Sequence, residues 1–371
     1  MSNSQQPIEH LVMIDRNSPI PLAVQLRQQL SLLIASRLIT EGETLPAIRV
    51  LADEVGVNLH TARAAYLQLE RDGLVRIRRG VGTTVLPADE WRTSRSAAGP
   101  PTSTIGVIIP SHGFTYYAGF LSGVEAGASR SPLVFVCDAH ENPERGRHYF
   151  DQLVLRQVDG IIVTGPMLPL KVVERHLGAH PPLVCADFPS APGPVVEFDL
   201  YAAGRLASRH LVEHGHQRIG LITPPIGLDN VTPRVKAFRR TLADAQLPDD
   251  LIAEVGDWSP AAGARGLDDL LDHDTPPTAI VTVSGPMALG VLAHAQDRGL
   301  QVPGDLAVAS MDSAPNQLTR PTLTSVLLSS YDLGRRAAKK LDTIIAGSPL
   351  DEDRDVLAAN LTVRESCGQH D

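Results

Sequence analysis

Four side chains able to read a base edge fall within six residues: Asn58, His60, Thr61 and Arg63. An amide, an imidazole, a hydroxyl and a guanidinium this close together supply the donors and acceptors that a major groove presents for recognition. Arg49 precedes them, and Arg76, Arg78 and Arg79 follow, all of a type suited to phosphate. Elsewhere the reactive residue types form no such group. His210, His214 and His216 stand in an H-x3-H-x-H spacing that could suggest zinc. Ser284-Gly285-Pro286 lacks the flanking glycines of a nucleophile elbow. No pair of carboxylates at a defined spacing stands out, and neither does a glycine loop for phosphates, so an enzyme reading has no constellation behind it.

Two short helices and a hairpin must position the four side chains. Leu51, Ala52 and Val55 fall at helical spacing behind Pro46, placed where a first-turn proline costs no hydrogen bond. Gly56 breaks that helix, and Asn58 stands where a cap would accept the free amides of the next one. The second helix has Ala62, Ala65, Tyr66 and Leu69 on its apolar side, with the base-reading types opposite, and Gly73 ends it. Val75 and Ile77 then alternate with Arg76 and Arg78, and Gly80-Val81-Gly82 allows a sharp reversal before Thr83-Thr84-Val85. Upstream, Leu22, Leu26, Leu30, Leu33, Ile34 and Leu38 make the stripe of a supporting helix. Such a unit reads as a helix-turn-helix with a basic hairpin beside it. An ordinary helical hairpin with an exposed polar face fits the same spacing.

The chain has 371 residues, 43% hydrophobic and 20% charged, which suits two or three folded domains. A net charge of -9 argues superficially against nucleic acid. The acidity is unevenly spread: residues 15–86 hold nine basic and seven acidic side chains, whereas residues 87–371 hold 24 and 34. A local basic surface on the small domain is therefore permitted. Cys137, Cys185 and Cys367 are widely spaced, with no metal frame, and read as reduced thiols. The polar start MSNSQQPIEH lacks a signal-peptide core and no run approaches membrane length, so a cytoplasmic location away from membranes is expected.

Residues 87–103, rich in Pro, Ser and Ala, read as a linker that Trp91 could pin. From Thr104, apolar runs alternate with amphipathic stretches. The runs are 105–109, 133–136, 160–163, 183–185, 195–198, 219–222, 279–283 and 306–311; the helical stretches include 116–129, 144–156, 202–214, 233–245, 260–271 and 286–298. Continuous apolar strands alternating with helices predict an α/β fold, with parallel sheets covered on both faces. Two lobes fit the length better than one sheet, with a barrel as the alternative. Ligands of such sheets bind beyond the carboxyl ends of strands, which singles out Pro110-Ser111, Cys137-Asp138, Thr164, Asp187, Asp199, Thr223, Val283-Ser284 and Met311-Asp312.

Taken together, LPAIRVLADEVGVN, HTARAAYLQLERDGL and RRGVGTTV resemble the winged helix-turn-helix of GntR-type regulators. The resemblance implies that Arg49 binds phosphate, that Asn58, His60, Thr61 and Arg63 contact the operator, and that Arg79 with Gly80 forms the wing tip. Leu59 departs from the pattern, because several relatives carry a base-reading arginine there. Residues 104–367 resemble the effector domain of LacI/GalR-type regulators, which has the periplasmic-binding-protein fold. The matching pieces include IGVIIP, VDGIIV, GRLASRHLVEHGHQRIGLI, PTAIVTVSGPMALGVL, GLQVPGDLAVASMD and the terminal LTVRES. This second resemblance makes the three histidines structural, and implies lobe crossings near Asp199, Asp312–Thr322 and Ser348.

The expected architecture is thus a reader over 1–86, a linker over 87–103, and an effector-binding and dimerisation domain of two lobes over 104–371. By resemblance the effector would meet Arg234 and Asp312, with Asp187, Trp258, Tyr116, Ser111 and Ser284 around it. Ser284-Gly285, Phe188 and Leu200 replace polar residues that relatives often carry, so a sugar-like effector would be less hydroxylated than a hexose, or else small and anionic or partly apolar. The expected function is a ligand-responsive homodimeric repressor of double-stranded operator DNA, needing no cofactor or metal. The alternative is a cytoplasmic ligand-binding module whose N-terminal domain contacts protein.

Overall fold

Leu26, Leu30 and Ile34 are buried at helical spacing, and the first domain is assembled on that stripe. The computed structural model describes residues 12, 14, 16, 21–35, 39–78, 80–87, 102–111, 115–129, 132–179, 181–313 and 319–367. Leu38, Arg79 and most of the expected linker, Trp91 included, lie outside these residues. The domain runs α1 (Leu22–Ala35), β1 (Thr44–Leu45), α2 (Ile48–Glu54), α3 (Leu59–Arg71), β2 (Val75–Arg78) and β3 (Gly82–Val85). Its sheet has the order β1-β3-β2 and is antiparallel throughout, with Val75 opposite Val85 and Arg78 opposite Gly82. Leu51, Ala52, Ala62, Ala65, Tyr66, Leu69, Leu74, Val75 and Val85 close one core with the α1 stripe.

Asn58 caps α3 as its type predicts, its side chain accepting from the Thr61 amide at 2.7 Å. Pro46 departs from expectation. The N-cap of α2 is Ala47, so the proline lies outside the first turn, and its carbonyl accepts from the Tyr66 hydroxyl at 2.7 Å. That bond ties the helix-turn-helix shut. Glu70 fixes the wing to α3 by accepting from the Ile77 amide at 2.7 Å.

The remainder runs β4 (Thr104–Ile109), α4 (Thr115–Gly127), β5 (Leu133–Asp138), α5 (Pro143–Leu155), β6 (Gly160–Thr164), α6 (Leu170–His176), β7 (Leu183–Ala186) and β8 (Val195–Phe198). It continues with α7 (Leu200–Glu213), β9 (Ile219–Thr223), α8 (Thr232–Asp244), β10 (Ile252–Glu254), α9 (Pro260–Leu271), β11 (Ala279–Thr282), α10 (Gly285–Asp297) and β12 (Ala307–Ser310). Last come β13 (Thr324–Leu327), α11 (Ser330–Ile345), β14 (Arg354–Leu357) and β15 (Asn360–Thr362). Two open six-stranded sheets result, ordered β14-β8-β7-β6-β4-β5 and β10-β9-β11-β12-β13-β15, and not a barrel. Within the second sheet the pairings are parallel except β13 with β15.

Three expectations need correction. The chain leaves the first sheet at Asp199, as the resemblance implies, but the second crossing follows Leu327 and the third lies between Leu357 and Asn360. The reason is pairing: β13 still runs beside β12, and β14 beside β8. The run 133–136 is not covered on both faces either, for Leu133, Phe135 and Val136 are 62%, 39% and 48% exposed on an edge strand.

Contacts divide the chain into two compact units. One takes its described residues from 1–186, 192–194 and 335–351; the other takes them from 187–191, 195–334 and 352–367. Within the first unit the reader touches α5. Arg27 donates to Asp72 at 2.9 Å and to Gln157 at 3.2 Å, and Leu155 packs on the reader core. Within the second, α9 and α10 meet backbone to backbone: a Cβ on Gly263 would lie 2.1 Å from the Met287 carbonyl oxygen, and one on Gly290 would lie 1.8 Å from that of Pro260.

Replacing Tyr66 by Phe removes the hydroxyl that donates to the Pro46 carbonyl while leaving the ring packed. We expect Tyr66→Phe to destabilise the reader by about 1 kcal/mol, read as a lower urea midpoint with an unchanged slope. An unaltered midpoint would show that the bond contributes nothing net.

Candidate functional site

The leading end of α3 is open to solvent. His60 and Arg63 are exposed, Thr61 is half-buried, and the opposite face is core. Asn58 is exposed too, but its carboxamide oxygen is already engaged as the cap, leaving the amide group for a partner. Arg49 is exposed on α2. Arg76 and Arg78 are exposed on β2, alternating with the buried Val75 and half-buried Ile77. Gly80 and Gly82 take φ of +78° and +120°, values that favour glycine, and hold the exposed Val81 between them. Short polar groups on a helix end, flanked by cations on two other elements, make a surface that can enter a groove and meet phosphates on either side.

In the first compact unit, Ser111 follows β4 and is half-buried. Tyr116, half-buried on α4, meets the Tyr117 ring edge-on at 5.1 Å between centroids.

The second unit holds the charged group. Arg234 enters from the first turn of α8 and is only 4% exposed. One terminal nitrogen donates to the Asn230 carbonyl at 3.2 Å, another lies 3.9 Å from Asp312 Oδ2, and its buried Nε has no partner among the described residues. Asp312 follows β12, and its carboxylate accepts from the Ser313 amide at 2.6 Å. Burial pushes the Asp312 carboxyl up to about 6; Arg234 and the Ser313 amide pull the other way, and the charge of Asp187 adds to the rise. Asp187 is held at φ +51°, a conformation that aspartate tolerates better than most residues. So the structure brings together Asp187, Arg234 and Asp312.

Glycine at position 204 sets where the arginine sits. A Cβ there would lie 2.6 Å from the Arg234 carbonyl oxygen and 2.9 Å from its Cα, so α7 can approach α8 only without one.

Other expected residues have different tasks. Ser284 is buried and caps α10, accepting from the Met287 amide at 3.4 Å. Trp258 is half-buried in the turn before α9, just ahead of the capping Ser259. Phe188 and Leu200, where polar residues were noted as missing, are buried. Sequence reasoning missed Ser313, whose hydroxyl donates to the Val326 carbonyl and accepts from the Leu328 amide. It also missed Asp229, which accepts from the Ser190 amide. Neither belongs to a motif; only the fold brings their partners near.

The three histidines each take a protein partner. His210 Nε2 is 2.9 Å from Cys367 Sγ, His214 Nδ1 is 2.5 Å from the His210 carbonyl oxygen, and His216 Nδ1 is 3.0 Å from the Thr278 hydroxyl. Burial raises the Cys367 thiol, against a bond from Thr324. Among the described residues no group of three His, Cys, Asp or Glu could hold a metal ion, and no helix is long and apolar enough to cross a membrane.

Comparison with known proteins accords with this geometry. Residues 22–85 match the family described as bacterial regulatory proteins, gntR family, and residues 208–367 match a periplasmic binding protein-like domain. The chain is 32% identical over 283 residues to catabolite control protein A of Priestia megaterium, covering 74% of this chain and 84% of that protein. It is 28% identical over 337 residues to the HTH-type transcriptional repressor CytR of Escherichia coli strain K12, covering 87% and 97%. The crystal structure of transcription regulator CcpA of Lactococcus lactis superposes with a TM-score of 0.65 at 27% identity, over 71% of this chain and 98% of that one.

Asp312 titrates higher in the fold than its ordinary 3.8. Its protonated form is therefore favoured by folding, and the stability it contributes is full below about pH 4 and lost as pH rises through about 6. We expect Asp312→Asn to remove that part of the decline in unfolding free energy between pH 4 and 6. Equal slopes in both proteins would show that Asp312 ionises as an ordinary carboxylate.

Proposed function

We propose, on the premise that this chain belongs to the LacI family of transcription regulators, that it is a repressor whose hold on operator DNA is altered by a small-molecule effector. The chain is a DNA-binding regulator, with a gntR-type reader over the residues 22–85 that match that family. The remaining assignments are our own reading. The boundaries are a reader over 1–86, a linker over 87–103 and a sensor over 104–371. The protein acts in the cytoplasm by binding and not by turnover.

The observation that carries the reading is the open leading end of α3 with arginines on α2 and β2 beside it. His60, Thr61, Arg63 and the free amide of Asn58 read base edges, Arg49 binds phosphate, and Arg79 and Gly80 also contact the operator. One reader covers a half-site, so a two-fold dimer matches a palindromic operator. The apolar, uncovered edge of β5 supports pairing, because an exposed edge of this kind invites another chain.

The effector is held in the second unit at the strand ends around Arg234, Asp312 and Asp187, with Trp258 and the capping Ser284 at its borders. Two carboxylates beside one guanidinium favour a ligand that donates hydrogen bonds and offers a single acceptor to the open Nε. They weigh against an anion. The buried Phe188 and Leu200 favour fewer hydroxyls than a hexose carries, because a ligand hydroxyl left unpaired in a dry site costs about 1–3 kcal/mol. Coupling of effector to operator of about 1–3 kcal/mol would change affinity roughly 5- to 150-fold.

Two measurements test this. In binding to duplexes selected from a random pool, Arg49→Ala should weaken every sequence alike, whereas His60→Ala should relax preference at one base pair; equal, uniform losses would contradict the division into phosphate and base contacts. In a thermal-shift screen of small metabolites, hydroxylated or amine-bearing compounds poorer in hydroxyls than a hexose should stabilise the wild type, and Arg234→Met should abolish the shift. Stabilisation by common hexoses alone would overturn the effector class.

A further inference from the structure

Leu59 is the first residue of α3, and half of its surface is open (50%). It stands at the leading end with exposed His60, and one helical turn before exposed Arg63. The helix has places for apolar side chains inside, filled by Ala62, Ala65, Tyr66 and Leu69. Leu67 is exposed as well, but two turns further on, away from the end that enters a groove. Asn58, bonded as the cap, fixes the turn from which Leu59 emerges.

We infer that Leu59 is a specificity-determining contact that reads the methyl group of a thymine in the operator half-site. The inference rests on the operator-reading role of α3. In the major groove every base edge presents hydrogen-bonding groups, and the thymine C5 methyl is the one aliphatic feature. A leucine supplies neither donor nor acceptor. Set against a guanine or adenine edge, it would strip water from polar atoms and return no bond. Set against thymine, it buries methyl on methyl, and covers apolar surface that the free protein leaves in water. Because Leu59 and Arg63 lie four residues apart on one helix, the thymine falls next to the base pair read by Arg63.

The test uses the full chain and the duplex enriched from a random pool. Each thymine of the half-site is replaced in turn by uracil, which removes the methyl and nothing else. Wild type should lose about fourfold in affinity at one position per half-site, the worth of one buried methyl-sized group. Leu59→Ala, which leaves the core intact and should melt with the wild type, should bind thymine and uracil duplexes alike at that position. Leu59→Gln should move the preference there from thymine to adenine, whose N6 and N7 a carboxamide can bridge. Equal binding of wild type to all uracil duplexes would overturn the inference, and so would discrimination that persists in Leu59→Ala. If the pool yields no preferred duplex at all, it is the operator-reading role that fails, and the methyl contact falls with it.

Discussion

A guanidinium taken out of water is the demand around which the second unit is organised. Arg234 is buried, and an unpaired buried cation would be strongly destabilising. The fold answers with the Asn230 carbonyl one turn back and with Asp312 at the end of β12. It does not answer completely: the ion pair is long, Nε has no partner among the described residues, and Asp312 is itself enclosed enough to resist ionisation. Packing supports this arrangement from behind, since Gly204 lets α7 lie against the first turn of α8. Loose pairing of this kind is what a ligand can improve. The group sets two carboxylates against one guanidinium, and the ion pair between Arg234 and Asp312 is long.

The reader is built on different terms. Its core is apolar, and two of its polar bonds are Tyr66 to Pro46 and Glu70 to Ile77. Each joins the recognition helix to one neighbour, so the groove-facing end of α3, the helix before it and the wing keep a fixed spacing. Contacts made from separate elements can engage one duplex together only if the spacing between those elements is rigid. The net acidity of the whole chain is no obstacle, because it resides outside this domain.

Much of this was legible in the residues themselves. Asn58 caps α3 as its type predicts, and the α1, α3 and strand patterns lie where apolar periodicity puts them. What was hidden follows from pairing and not from pattern. β10, β13, β14 and β15 are three or four residues long and interleaved with polar side chains, so only neighbours in a sheet reveal them. Two crossings were misplaced for that reason. The strand run 133–136 reads as core and is an open edge, because composition cannot say which strand stands last. Ser284 was read as a site residue, and its hydroxyl also caps the helix it begins. Arg234, Asp312 and Asp187 came from resemblance; the long approach of Arg234 to Asp312 is a matter of ångströms that no spacing records.

The seam between α9 and α10 carries an evolutionary consequence. Where Gly263 and Gly290 bring two backbones into contact, no small step in side-chain size exists: the next residue after glycine already collides with main chain. Descendants of this protein therefore have no gradual route to a new ligand through repacking these helices. Diversification is channelled into the loops that carry Asp187, Trp258 and Asp312, which can change one at a time while the scaffold beneath them stays frozen.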